Sequence, residues 1–151
     1  MKLYQITLPI FCLLMVLFSQ AALSAPISKS AKGAAVKILH PADGATISGP
    51  VKVVFGIEKM TLIPAGIPHP DSGHHHLLID VDTPPKSGTV IPSDAKHLHF
   101  GKGQEEAVID LKPGKHTLQL LLGDHLHRPH QPPIMSDKIT IKVEKPNKTT
   151  K

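Results

Sequence analysis

Two stretches of this chain alternate apolar and polar residues with a period of two, and that pattern leaves little choice of fold. Val51, Val53, Phe55 and Ile57 alternate with Lys52 and Gly56, and Ile139, Ile141 and Val143 alternate with Lys138, Thr140 and Lys142. Successive side chains of a strand point to opposite faces, so each run turns one apolar face to a core, which a period of 3.6 cannot do. The 15 prolines and 11 glycines fall largely between such runs and interrupt any helix there. The pattern predicts seven strands, near 35–39, 50–57, 74–82, 97–100, 105–111, 115–122 and 137–143. Short strands at this spacing point to an all-β, immunoglobulin-like two-sheet sandwich of about seven strands.

Two links carry turn chemistry: Pro41-Ala42-Asp43-Gly44, and Lys112-Pro113-Gly114-Lys115. Pro presets one turn dihedral and Gly supplies a positive φ. The connections 58–73, 83–96 and 123–136 are long instead, and long loops on a rigid sheet commonly carry function. Residues 25–34 are small and polar and read as a flexible lead-in; residues 144–151 read as a disordered tail. One sandwich domain is expected over 35–143.

Lys2, the apolar run from Leu8 to Phe18 and the small residues Ala21, Ala22, Ser24 and Ala25 follow the order of a secretory signal peptide, too short to span a bilayer permanently. The expectation is a signal peptide over 1–24, cleavage after Ser24 with Ala25 as the alternative, and a periplasmic or secreted product. Cys12, the one cysteine, leaves with it, so any metal site must use nitrogen and oxygen. Pro9, Ile10 and Phe11 do not form a lipoprotein approach to Cys12. Removal of Lys2 lowers the net charge from +5 to +4, a mild excess carried mainly near the ends. With no Trp, and one Tyr inside the expected signal, there is no stacking platform for nucleic acid.

Histidine carries the chemistry. Three His-x-His pairs occur: His74 and His76, His97 and His99, and His125 and His127, with His130 following. In a strand such a pair points to one face about 7 Å apart at the backbone, so two imidazoles can share an ion. On the 74–82 strand, His75, Leu77, Ile79 and Val81 form the inward face, while His74, His76, Asp80 and Asp82 form a polar one. The alternative there is a solvent-exposed histidine run. His75 reads as a satisfied or partly buried histidine, and His116, in step with Leu118 and Leu120, as structural. His40, His69 and Lys102 have weak claims. Pro129, Pro132 and Pro133 stiffen the third cluster. Asp124 is either an orienting partner for an imidazole or a turn residue beside Gly123. Met135 is either a soft axial ligand or packing. No catalytic motif is present, neither His-Glu-x-x-His nor Gly-x-Ser-x-Gly, so catalysis has no support in pattern.

Gly73-His74-His75-His76-Leu77-Leu78-Ile79-Asp80, His99-Phe100-Gly101-Lys102-Gly103-Gln104, Leu111 to Leu120 and Gly123 to Pro133 resemble a bacterial family known as domain of unknown function 4399. The resemblance implies an exported, all-β domain and no established activity.

The reading from sequence is an exported sandwich that binds a divalent transition metal, copper or zinc, through His74, His76, His97, His99, His125, His127 and His130, with His74, His76, His99 and His127 as the leading ligands. The alternative is a non-catalytic, pH-sensitive module that binds an anionic polymer or a cell-envelope protein. A metal site with an open, catalytic position is the third reading.

Overall fold

The computed structural model describes residues 25–146. The expected signal peptide and most of the expected tail lie outside them. Nine strands make two sheets: β1 (Ala35–His40), β2 (Thr46–Ser48), β3 (Val51–Glu58), β4 (Thr61–Leu62), β5 (Ser72–Ile79), β6 (His97–Phe100), β7 (Glu106–Ile109), β8 (Gly114–Gly123) and β9 (Ile139–Glu144). One sheet runs β1-β3-β7 and the other β2-β9-β8-β5, with β4 and β6 sharing the far edge of β5. The molecule is an immunoglobulin-like two-sheet sandwich. The two strands absent from the sequence reading, β2 and β4, are three and two residues long and pair parallel with β9 and β5. Elements that short hold no period to read. No helix among the described residues is long and apolar enough to cross a membrane.

The predicted alternation supplies the core. Val51, Val53 and Phe55 from one sheet meet Leu77, Ile79, Leu118, Leu120, Leu122, Ile141 and Val143 from the other. Each fully buried Leu or Val there contributes roughly 1.5–3 kcal/mol. Leu78, Val81, Ile91 and Leu121 form a second apolar cluster on the outer side of the larger sheet. That cluster changes the character of β5, whose eight residues are all buried. The chain segments over its outer face replace the solvent-facing side that an edge-on alternation implies.

Strand β5 stops at Ile79, three residues short of the sequence reading. Asp80 takes φ 53°, and its carboxylate accepts the Thr117 amide and the His116 Nδ1 proton, each at 2.8 Å. The bend breaks parity, so Val81 packs in the outer cluster rather than beside Leu77 and Ile79. Asp80 and Asp82 accordingly do not continue a polar face with His74 and His76. Residues 25–34, read as flexible, run beside the 128–131 segment, where Lys29 bridges Gln131.

Candidate metal centre

Strand pairing decides which histidines meet. On β5, His75 faces Leu122 of β8 and Phe100 of β6, inside the sandwich. His74 and His76 therefore point outward. His76 pairs directly with His99 on β6, and His74 lies opposite Gly123 on β8. The rings of His74 and His76 are 4.8 Å apart, and His99 stands 4.9 Å from the first and 5.1 Å from the second. His127 descends from the loop after β8, 5.0 Å from His74, 4.7 Å from His99 and 6.2 Å from His76. Ligand nitrogens of His74, His99 and His127 lie within 4.8 Å of one another, close enough to hold a metal ion. Nitrogens about 2.1 Å from a tetrahedral ion stand roughly 3.4 Å apart, a distance that small ring rotations reach.

The electrostatics suit a cation ligated by neutral rings. His74 and His76 are each 1% exposed, while His99 is exposed and His127 half-buried, so the group opens to solvent on one side. Both nitrogens of His74 and Nδ1 of His76 find no hydrogen-bond partner. An unpaired buried polar atom costs about 1–3 kcal/mol, and such atoms in a native fold call for an explanation, of which a bound ion is one. Burial first, then the neighbouring His99 and His127, pushes His74 down to about 4. Burial, helped by His74, His99 and His127, pushes His76 to about 3. His99 is lowered by burial and by His127. At neutral pH these rings offer lone pairs rather than charge.

Glycines make room for the rings. A Cβ on Gly123 would lie 2.6 Å from His76 Cε1, and one on Gly101 would lie 2.3 Å from His99 Cε1. Neither glycine has a positive φ, so both serve space rather than backbone conformation. His127 is held at φ 58° in a turn where its amide donates to the Asp124 carbonyl at 2.9 Å and its carbonyl accepts the Ile91 amide at 2.7 Å. Asp124 contacts no imidazole by hydrogen bond. Its Oδ1 accepts the amides of Leu126 and Arg128, and its Oδ2 accepts Ser28 Oγ and the Arg128 guanidinium. It shapes the loop backbone, a role between the two that the sequence offered.

The other predicted ligands lie elsewhere. His97, opposite Leu78 at the start of β6, is held by Asp94, with Nδ1 2.8 Å from its carboxylate. His125 lines a cleft of about 290 Å³ with Ser28, His69, Ser72, Asp124 and His130. His130 is buried with Nε2 3.1 Å from the Ser72 carbonyl oxygen and Nδ1 3.4 Å from that of Leu122. His75 faces inward as expected, but it is fully rather than partly buried and is unsatisfied, with neither nitrogen paired. His116 is structural, bound to Asp80 and to the Lys112 carbonyl. Met135 pairs with Leu121 through a bridge and is 38% exposed. Sequence reasoning missed Gly123 as a ring seat, and Ser28 and Arg128 as supports of the loop. The strand expected from sequence ends at 122 and leaves Gly123 in the following loop, so its place at the end of β8, opposite His74, carried no signal in the residues.

A family model described as "Domain of unknown function (DUF4399)" matches residues 53–144. No curated protein matches the chain. Two solved structures are similar at low identity. Fibronectin(III)-like modules of Clostridium thermocellum CbhA share 17% identity over 74% of this chain and 99% of theirs, with a TM-score of 0.41. The endo-beta-1,4-mannanase from Thermotoga petrophila shares 16% identity over 74% of this chain, with a TM-score of 0.42, and the match spans 20% of that enzyme.

Proposed function

The chain belongs to the DUF4399 family, and we propose that it is an exported β-sandwich that binds one divalent transition-metal ion, copper or zinc, through His74, His99 and His127 with His76 as the fourth ligand. The observation that carries this reading is the pair of buried outward rings, with both nitrogens of His74 and Nδ1 of His76 lacking partners, while two further imidazoles converge on them. The donor set is nitrogen alone, which suits zinc and copper(II) and disfavours magnesium or calcium, whose ligands are oxygens. With the metal bound, the site would supply a positive charge near the exposed His99 edge. The rings themselves hold and orient it: β5 and β6 fix three of them through strand pairing, and the 124–128 turn fixes the fourth.

Export rests on the signal-like order of residues 1–24. Sequencing the N-terminus of the protein recovered from cell envelope and medium checks that part; an intact Met1 in the cytoplasm overturns it. For the metal, native mass spectrometry and elemental analysis of untagged protein, titrated with zinc and copper after chelation, should give a 1:1 complex. Weak, non-saturating uptake of several ions contradicts the reading.

A further inference from the structure

Residues 25–30 belong to no strand and contribute nothing to the histidine group, yet their contacts concentrate on the loop that carries His127. Arg128 donates from Nη1 to the Ala25 carbonyl at 3.0 Å and from Nη2 to the Pro26 carbonyl at 2.9 Å. Ser28 Oγ donates to Asp124 Oδ2 at 2.8 Å. The Gln131 amide donates to the Ser28 carbonyl at 2.9 Å, and the Ser30 amide to the Gln131 carbonyl at 3.2 Å. Ile27 rests on Gly88, where a Cβ would lie 2.6 Å from Ile27 Cδ1. Residues 87–91 hold the same loop as well, through Ser87 Oγ to the His130 carbonyl at 2.6 Å and the Gly88 amide to the Pro129 carbonyl at 3.2 Å.

The junction of these contacts is the Asp124–Arg128 pair, 3.1 Å apart, with side chains 2% and 8% exposed. A buried ion pair is sound only when its remaining valences are met. Residues 25–28 meet them: one hydroxyl for the carboxylate and two carbonyls for the guanidinium. The same carboxylate holds the amides of Leu126 and Arg128, which flank His127. A non-glycine residue at φ 58° costs on the order of 1 kcal/mol or more and persists only where surrounding contacts impose it.

We infer that residues 25–30 form a strap that positions the metal-binding loop: seated on Gly88 and on the Asp124–Arg128 pair, it holds His127 against His74 and His99. The inference rests on the metal reading above, and its members are positioning residues, since none reaches the ion. Loss of a group bonded directly to a ligand typically weakens metal binding about 10- to 100-fold; the strap acts one step further out, through the backbone that carries His127.

The test compares the unaltered protein with Ile27→Asp/Ser28→Ala, and with a form deleted for residues 25–30, by zinc calorimetry and by amide hydrogen exchange without metal. The expected result is zinc affinity weaker by about 10-fold, the low end for groups behind a ligand, with faster exchange confined to residues 124–131 and unchanged protection in β3 and β9. Affinity within twofold together with unchanged exchange overturns the strap, as does faster exchange across the whole sandwich. If the unaltered protein takes up no zinc, the metal reading fails by itself, and the exchange pattern still decides whether the strap orders the loop. Should the deleted form not fold, the double substitution carries the comparison alone.

Discussion

His75 and its neighbours His74 and His76 share a strand, a side-chain type and near-complete burial, at 0%, 1% and 1% exposure, but they face opposite sides of the larger sheet. His75 packs in the inter-sheet core with its ring 5.1 Å from Phe55. Burial alone lowers it to about 4. His74 and His76 reach a similar state by burial and by the company of other imidazoles. All three have unpartnered nitrogens. Burial and an unpaired lone pair are therefore common to both sides, and the difference is convergence: one side collects four rings, the other has one ring against a phenylalanine.

The largest effect should separate the two sides by substitution. His74→Ala is expected to weaken zinc binding by more than about 100-fold, since it removes a ligand and leaves its neighbours' lone pairs without an ion. His75→Leu should leave affinity within twofold, and stability equal or higher, because an unsatisfied buried polar group gives way to an apolar one of similar size. Calorimetry and thermal denaturation read both; equal loss of affinity in the two variants breaks the comparison.

A smaller effect tests the space around the rings. Gly123→Ala puts a methyl group 2.6 Å from His76 Cε1 and 2.9 Å from Nδ1, so the ring must move. Affinity should fall about 10-fold and stability by about 1–3 kcal/mol, the usual range for overpacking. An unchanged affinity would remove His76 from the ligand set.

Acid should act on both sides of β5 in the absence of metal. With folded values of about 4, 4 and 3 for His74, His75 and His76, the unfolded chain binds protons first as pH falls below 6.5. Stability is thus full above pH 6.5 and declines down to about 3, where His76 takes its proton in the folded state, by on the order of several kcal/mol in denaturant titrations. His75→Leu should make that decline shallower, and a slope unaltered by the substitution would contradict the burial of a neutral His75. The smallest effect has the opposite sign. His116 is opposed by burial, yet raised overall by its bonds to Asp80 and the Lys112 carbonyl. Its contribution is present below pH 6.5 and lost as pH rises through its raised value, so His116→Gln should cost under about 1 kcal/mol, and only on the acid side.

Much of this was legible in the residues. Alternation in β3 and β9 foretold the apolar face of each, and the parity of 74 and 76 against 75 foretold the sides on which they stand. The His-x-His rule then held unevenly, for a physical reason. His97 and His99 alternate as expected, but only His99 lies across from His76, and Asp94 takes His97 at the strand's start. His125 and His127 are in a turn, where a period of two has no meaning, and the left-handed backbone at His127 decides which ring turns inward. The burial of the outer face was not legible, because the segments that cover it come from distant parts of the chain.

The most direct measurement is long-range proton–nitrogen NMR of the 11 imidazoles during a zinc titration. The account expects His74, His76, His99 and His127 to shift together, saturating at one equivalent, while His75 and His116 keep their signals. Scattered shifts among exposed histidines, without saturation and without His74, would contradict it.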